Sequence, residues 1–354
     1  MSHNHHPPPQ PPDPAPVIAL LHAFRHSKIM FTATSLGIFD TLEEAGGPMP
    51  AAQLASRLNL NHGALERLLN GCVFLGLLDK TKDNGGADGR YANTPLASRY
   101  LVSSSPDTLS GYIVYSDRSL YPLWSHLDDA IREGSNRWNQ TFGSRNALFD
   151  QFFRDEPAKR AFLQGMHGLG QLASRVLVRA FDLSRFRNWV DLGGATGHLC
   201  IAACEAYPLL KATVLDLPAV EALAREHLTA SAAASRLHFV TGDFFEDQLP
   251  PADIYSLGKI LHDWTPDKID LLLARIHDAL PPGGALLICE AVLDDGHTSP
   301  EYAVMQSINM LVCTEGRERS AAEYSSLLTK AGFASIECRP TGVTLDAILA
   351  IKAK

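Results

Sequence analysis

The 354 residues contain no apolar run of the roughly 18 needed to cross a bilayer as a helix, and no apolar leader core near their start. A membrane partner is therefore not expected, and the cytoplasm is the expected location. Cationic charge is in short supply, with 31 Lys and Arg against 39 Asp and Glu and a formal net charge of −8. Affinity for a phosphate backbone comes from clustered Lys and Arg, so general nucleic-acid binding is not expected either. Cysteine is sparse and unpatterned: Cys72, Cys200, Cys204, Cys289, Cys313 and Cys338 form no paired CxxC framework. Such usage suits a reducing compartment and thiols that pack as small apolar groups.

What remains is ordinary globular material, 45% hydrophobic and 20% charged, long enough for two domains. Residues 1–17, "MSHNHHPPPQPPDPAPV", carry seven prolines between Pro7 and Pro16, which predicts an extended, disordered tail. Residues 18–104 form a helical module. "ALLHAFRHSKIMFTATSLGIFDTL" has apolar residues at helical spacing, and helix, turn, longer helix and a weak hairpin around "NGGADG" give the outline of a winged helix. The second of those helices, "NHGALERLLNGCVFLGLL", offers mainly His62 and Arg67 to a DNA groove, so the module is read as one for packing or dimerisation. Residues 105–187 are read as mostly helical, with aromatic clusters "YSDRSLYPLW" and "RNALFDQFFRD" that belong to the core or line a pocket for a flat substrate. From 188 to 354, short apolar strands such as "NWVDLGG", "KATVLDL", "RLHFVTGD", "ADIYSLGKIL" and "GALLICEAVL" alternate with helical runs, which predicts a doubly wound, mostly parallel α/β sheet. "ASIECRP" and "TLDAILAIK" are two further strands that would extend one edge.

The first of these strands runs into "VDLGGATGHL". Gly193, Gly194 and Gly197 let a ligand approach the backbone, but the spacing is not the dinucleotide G-x-G-x-x-G. Asp191 just before the turn would repel a pyrophosphate and attract a cationic amine or sulfonium, the charge that S-adenosylmethionine carries. Asp216 ends the second strand, where a carboxylate can accept two ribose hydroxyls, and Asp243 ends the third, near an adenine amino group with Phe244 beside it. Each aspartate taken singly is equally well an ordinary turn or cap residue. In "LGKILHDWTPDK", His262 follows Ile260 and Leu261, read as the end of a buried strand, while Thr265, Pro266 and Asp267 carry helix-start signals. An imidazole at that edge is a catalytic base or a half-exposed loop histidine.

"VDLGGATG", "VLDLP", "GDFF", "ILHDW", "LLICEAVL" and "NMLVCTEGRER", in this order, resemble the O-methyltransferases of the plant caffeate type. "AFDLSRF", "DQLP", "MQSINMLVCTEGRERS" and "LDAILAIK" resemble, within that superfamily, the acetylserotonin O-methyltransferases and their acetylserotonin O-methyltransferase-like relatives. The resemblance covers about residues 18 to 352. It implies a Rossmann-like class I methyltransferase domain behind a winged-helix dimerisation domain, a homodimer, S-adenosyl-L-methionine as donor, no metal, and a small aromatic hydroxyl acceptor, foremost a hydroxyindole such as N-acetylserotonin. By the same resemblance His262 is the general base, Glu290 and Glu318 hold and polarise it, and Asp263 is a neighbouring partner. Asp191, Gly193, Gly194, Asp216, Leu217, Gly242, Asp243, Phe244 and Lys259 would hold the cofactor, and Asn309, Met310 and Met166 would face the acceptor. Lys259 stands where the acetylserotonin enzymes usually show arginine, and "GGATG" replaces their commoner "GGGTG". Another phenol or a hydroxyquinone is the alternative acceptor, and a winged-helix regulator that senses the cofactor is the alternative outside enzymology.

Overall fold

The computed structural model describes residues 12–81, 89–143, 148–153 and 155–354. It divides into two compact units, 1–102 and 103–354. The tail expected over 1–17 lies outside the described residues up to position 11, and a helix already begins at Ala15.

The first unit contains α1 (Ala15–Ser35), α2 (Ile38–Glu44), β1 (Met49–Pro50), α3 (Ala51–Leu58), α4 (His62–Phe74), β2 (Leu78–Thr81), β3 (Arg90–Asn93) and α5 (Pro95–Tyr100). The single long helix expected at the start is broken at Gly37, which takes the left-handed φ of 71° that a side chain disfavours. Between α3 and α4, Asn59 closes one helix in the left-handed conformation and Asn61 opens the next by accepting the Ala64 N–H at 3.0 Å. β2 and β3 pair antiparallel from Leu78↔Asn93 to Thr81↔Arg90, with β1 on the other side of β3. Helix, turn, helix and wing are thus all present, although the "NGGADG" turn falls outside the described residues except for Gly89. On α1, Val17, Leu20, Leu21 and Phe24 recur at helical spacing and stand 53 to 76% exposed.

The second unit opens with helices: α6 (Ser110–Tyr115), a π-helical turn over Ser116–Leu120, α7 (Tyr121–Trp124), α8 (Leu127–Glu133), α9 (Trp138–Phe142), α10 (Leu148–Phe152) and α11 (Glu156–Leu177). These helices belong to the same compact unit as the sheet. α6 and α11 cross with backbones in contact, because a Cβ on Gly165 would sit 2.9 Å from Tyr112 Cα. Then come β4 (Asn188–Leu192), α12 (His198–Ala206), β5 (Lys211–Asp216), α13 (Glu221–Ala230), β6 (Leu237–Thr241), β7 (Ile254–Gly258), α14 (Pro266–Ala279), β8 (Ala285–Glu290), α15 (Glu301–Cys313), α16 (Ala321–Lys330), β9 (Phe333–Arg339) and β10 (Asp346–Lys352).

The seven strands order as β6-β5-β4-β7-β8-β10-β9. The five that alternate with helices are parallel, while β10 runs antiparallel to β8 and β9 antiparallel to β10. The period-two pattern divides β8 between two cores: Ala285, Leu287 and Cys289 pack on one face, Leu286 and Ile288 on the other. A strand buried on both faces reads as a continuous apolar run, and "ALLIC" does so. The chain winds outward from β4 to β6 and then returns to β7 on the opposite side of β4. The carboxyl ends of the strands around β4 therefore form the crevice where open α/β sheets take ligands.

Candidate active site

One cavity opens at that edge, and its walls come wholly from the second unit. One side is built by the loop after β4. Gly193 has φ 68°, and a Cβ there would lie 2.6 Å from Ile260 Cδ1 and 3.2 Å from the Phe244 ring, so only glycine fits. Asp191, at the end of β4, accepts the Ser256 hydroxyl at 2.5 Å, and that hydroxyl in turn accepts the Trp189 indole N–H at 2.6 Å. Burial pushes Asp191 up to about 7, against the pull of that hydroxyl. Asp216, at the end of β5, accepts the Ala195 N–H at 2.8 Å and the Leu217 N–H at 2.7 Å, while burial raises it to about 6. The turn thus offers two oriented carboxylates to the cavity, suited to a ligand that brings hydroxyl donors and positive charge.

Asp191, Gly193, Gly194, Asp216 and Leu217 all line the cavity. Gly242, Asp243 and Phe244 do not contribute to its lining. They stand one strand further out: the Gly242 N–H donates to Asp216 O at 3.0 Å, and the Asp243 carboxylate accepts the Phe245 N–H at 2.8 Å. Phe244 reaches the site only as the ring behind Gly193.

The other side is aromatic, with Tyr112, Tyr115, Phe152, Phe153, Phe162 and Tyr302 in the wall. The aromatic clusters of the helical segment therefore supply the pocket lining as well as core. Met166, Asn309 and Met310 join them. Lys259, grouped with the cofactor by resemblance, carries its ammonium to this side, 3.7 Å from Met166 Sδ. Burial works to lower its pKa, but Tyr302, Tyr112, Glu318 and Asp263 together hold it above the ordinary lysine value.

His262 lies where the two sides meet. β7 ends at Gly258, short of the Ile260 and Leu261 expected in it, because Lys259 takes a left-handed φ of 58° and turns the chain out of the ladder. The freed N–H groups of Ile260 and Leu261 both donate to Glu290 Oε1, at 2.9 and 2.8 Å, and a 3₁₀ turn over Leu261–Asp263 carries the imidazole. Thr265 takes the N-cap position of α14 and Pro266 the first helical position, but no side-chain cap bond forms. Arg319, buried, grips the turn from its carbonyl side through Leu261 O at 3.0 Å and Trp264 O at 3.5 Å.

The ring is 3% exposed, so it is no half-exposed loop histidine. His262 Nδ1 lies 2.6 Å from Glu318 Oε1 and 3.4 Å from Glu290 Oε2, and Nε2 lies 3.6 Å from Asp263 Oδ1. Burial pushes Glu318 up to about 8, Glu290 to about 7 and Asp263 to about 7. When one proton sits between Nδ1 and Glu318, Nε2 of this cavity-lining residue keeps its lone pair as an acceptor, which a general base requires. One ligand atom each from His262, Glu290 and Glu318 also lie within 4.8 Å of one another, and within this group Nδ1 and Glu318 Oε1 are engaged with each other.

Sequence reasoning missed a histidine group on the cofactor side. His167 on α11 stacks on His227 of α13 with ring centroids 3.7 Å apart, and His198, in the cavity wall just after the glycine turn, holds Ser174 Oγ at 2.8 Å through Nδ1. Burial, with His227 and His198 nearby, pushes His167 down to about 3, and burial, with Lys259 and His227, pushes His198 to about 4. An unfolded chain takes up these protons near pH 6.5, whereas the folded one resists until far lower pH, so this group's support of the fold is complete above about 6.5 and lost as pH falls toward 4. His167→Gln should therefore narrow the gap in melting temperature between pH 7.5 and pH 4.5. An unchanged gap in thermal scans would remove His167 from the acid limb of stability.

A parallel sheet with an acid-lined glycine turn beside an aromatic cavity and a carboxylate-held imidazole describes a group-transfer enzyme. Comparison with known proteins is consistent with this. Residues 124–334 match the O-methyltransferase domain and residues 18–103 the O-methyltransferase dimerisation domain. The chain belongs to the O-methyltransferase family. It is 42% identical to acetylserotonin O-methyltransferase of Bos taurus over 94% of this chain and 95% of that one. It is also 39% identical to the probable bifunctional dTTP/UTP pyrophosphatase/methyltransferase protein of Homo sapiens, over 97% of this chain and 54% of that one. A crystal structure of human N-acetylserotonin methyltransferase in complex with SAM superposes with a TM-score of 0.93 at 38% identity, covering 98% of this chain and 100% of that chain. Among the described residues no helix is long and apolar enough to cross a membrane.

Proposed function

We propose that this enzyme transfers a methyl group from S-adenosylmethionine to the hydroxyl of N-acetylserotonin, with His262 as general base. The observation that carries the reading is a buried imidazole with Nδ1 on Glu318, on a residue that lines the same cavity as the acidic glycine turn and the aromatic wall. The donor, when bound, supplies a methyl group already activated on a sulfonium. Asp216 would accept the ribose hydroxyls with its remaining lone pairs, and Asp191 would offset the positive charge of the donor. Tyr112, Phe162 and Tyr302 would hold a flat indole, and Met166 and Met310 would pack on its faces and edges. A phenolic hydroxyl ionises near about 10, so at neutral pH it is a poor nucleophile until Nε2 takes its proton. Glu318 would stabilise the imidazolium that results, and Glu290 would keep the turn, and hence the ring, in place.

The dimerisation domain and the exposed apolar stripe of α1 support a homodimer, which light scattering would report as twice the chain mass. Six free cysteines support the cytoplasm as its location. The reading is tested by incubating the purified protein with methyl-labelled S-adenosylmethionine and a panel of hydroxyindoles, phenols and quinones. Label on the oxygen of N-acetylserotonin is expected. Label confined to another acceptor would replace the substrate, and label on none would remove the activity.

A further inference from the structure

Trp124, half-buried at the end of α7, and Asn309, 8% exposed in α15, are joined by a hydrogen bond of 2.8 Å from indole Nε1–H to Asn309 Oδ1. An indole nitrogen only donates, so the amide atom that meets it must be the oxygen. That settles an orientation which an amide by itself leaves open. The Cys313 thiol, one helical turn on, reaches the same oxygen at 3.6 Å. The carbonyl end of Asn309 is thus committed to its neighbours in the protein. The NH₂ end remains for the cavity, which Asn309 lines. Flipping the amide would set two N–H donors against the indole N–H and leave the indole unpaired, at the cost that attends a buried donor without a partner.

We propose that Trp124 is a positioning residue that fixes Asn309 as a hydrogen-bond donor to the methyl acceptor. Trp124 thereby selects acceptors that carry a hydrogen-bond-accepting oxygen away from the hydroxyl that reacts. This rests on the methyl-transfer reading above and adds to it the device that sets its selectivity.

Trp124→Phe keeps a ring in place and removes only the N–H. Two acceptors are compared in the unaltered enzyme and the variant: 5-hydroxyindole bearing an acetamidoethyl group, and 5-hydroxyindole bearing a propyl group with no hydrogen-bonding atom. The unaltered enzyme should favour the first in kcat/KM, and Trp124→Phe should reduce that preference about tenfold, the usual worth of one hydrogen bond, mostly through KM. Turnover of the propyl acceptor and affinity for S-adenosylmethionine should not move. Asn309→Asp, which has no N–H to give, should lose the preference with Trp124 intact, and Trp124→Phe should add nothing further in that background.

An undiminished preference in a folded Trp124→Phe overturns the proposal, and so does an equal loss on both acceptors, which marks a structural role. Should that variant fail to fold, equal kcat/KM for the two acceptors in the unaltered enzyme overturns it as well. Methylation of neither acceptor by the unaltered enzyme sinks the function reading instead.

Discussion

Replacing His262 with alanine should lower turnover by about 10² to 10⁴, the range for loss of a positioned base, while S-adenosylmethionine affinity stays within a few fold. The two effects separate because the imidazole is fastened to Glu318, whereas Asp191 and Asp216, proposed to face the donor, are held independently by Ser256, Ala195 and Leu217. Glu318→Gln should lose less than His262→Ala. Its amide oxygen can still accept from Nδ1, and only the counter-charge to the imidazolium is gone. The pH profile gives a second signature. Burial raises Glu318 to about 8, although Lys259 and Arg319 pull against it. As Glu318 loses its proton it gains the negative charge that stabilises the imidazolium formed when the ring takes the acceptor's proton. Turnover should therefore climb as pH rises through neutrality toward about 8. In His262→Ala the climb should instead follow ionisation of the phenol near about 10.

Asp216→Ala should weaken S-adenosylmethionine binding roughly tenfold to a hundredfold in calorimetry, because on the proposed reading the ribose hydroxyls lose their acceptor in a partly closed cleft. The same change orphans the Ala195 and Leu217 N–H groups, which now donate to the carboxylate. Ala195 already has a left-handed φ of 47°, so the turn depends on that bond for its shape. Asp216→Asn should be milder, since one oxygen remains. In the unaltered enzyme, affinity should fall as pH drops through about 6, where the carboxylate takes a proton and loses acceptor capacity. Full affinity in a folded Asp216→Ala would take this residue out of the cofactor site.

The parts of the site legible in the sequence are those in which one local signal decides the placement. Asp191 and Asp216 end apolar strands, Gly193 follows at once, and strand ends in a parallel sheet fall on one edge, so their convergence follows from topology alone. Asp243 obeys the same local rule but follows β6, the outermost strand of that half, and its carboxylate accepts the Phe245 N–H rather than lining the cavity. Nothing in "LGKIL" announces that Lys259 takes a left-handed φ and brings its ammonium to within 3.7 Å of Met166 Sδ. The Trp124–Asn309 bond spans 185 positions, and the His167–His227 stack needs two helices to meet, so neither leaves a trace in sequence spacing. The division near 102 was legible because the pattern of helix and wing ends there, but the helical segment that follows shares the core of the sheet.

The central claim is that Nε2 of His262 takes the acceptor's proton as the methyl group is transferred. The most direct measurement is single-turnover methyl transfer across hydroxyindoles whose hydroxyl pKa is varied by ring substituents from about 7 to 10, in the unaltered enzyme and in His262→Ala. A base that removes the proton makes the rate only weakly dependent on acceptor acidity. Without it only the pre-ionised fraction reacts, and the rate should fall steeply as the pKa rises. The account predicts a shallow slope for the unaltered enzyme and a steep one for the variant, the two converging for the most acidic acceptors. Coincident slopes would contradict it and make His262 a bystander.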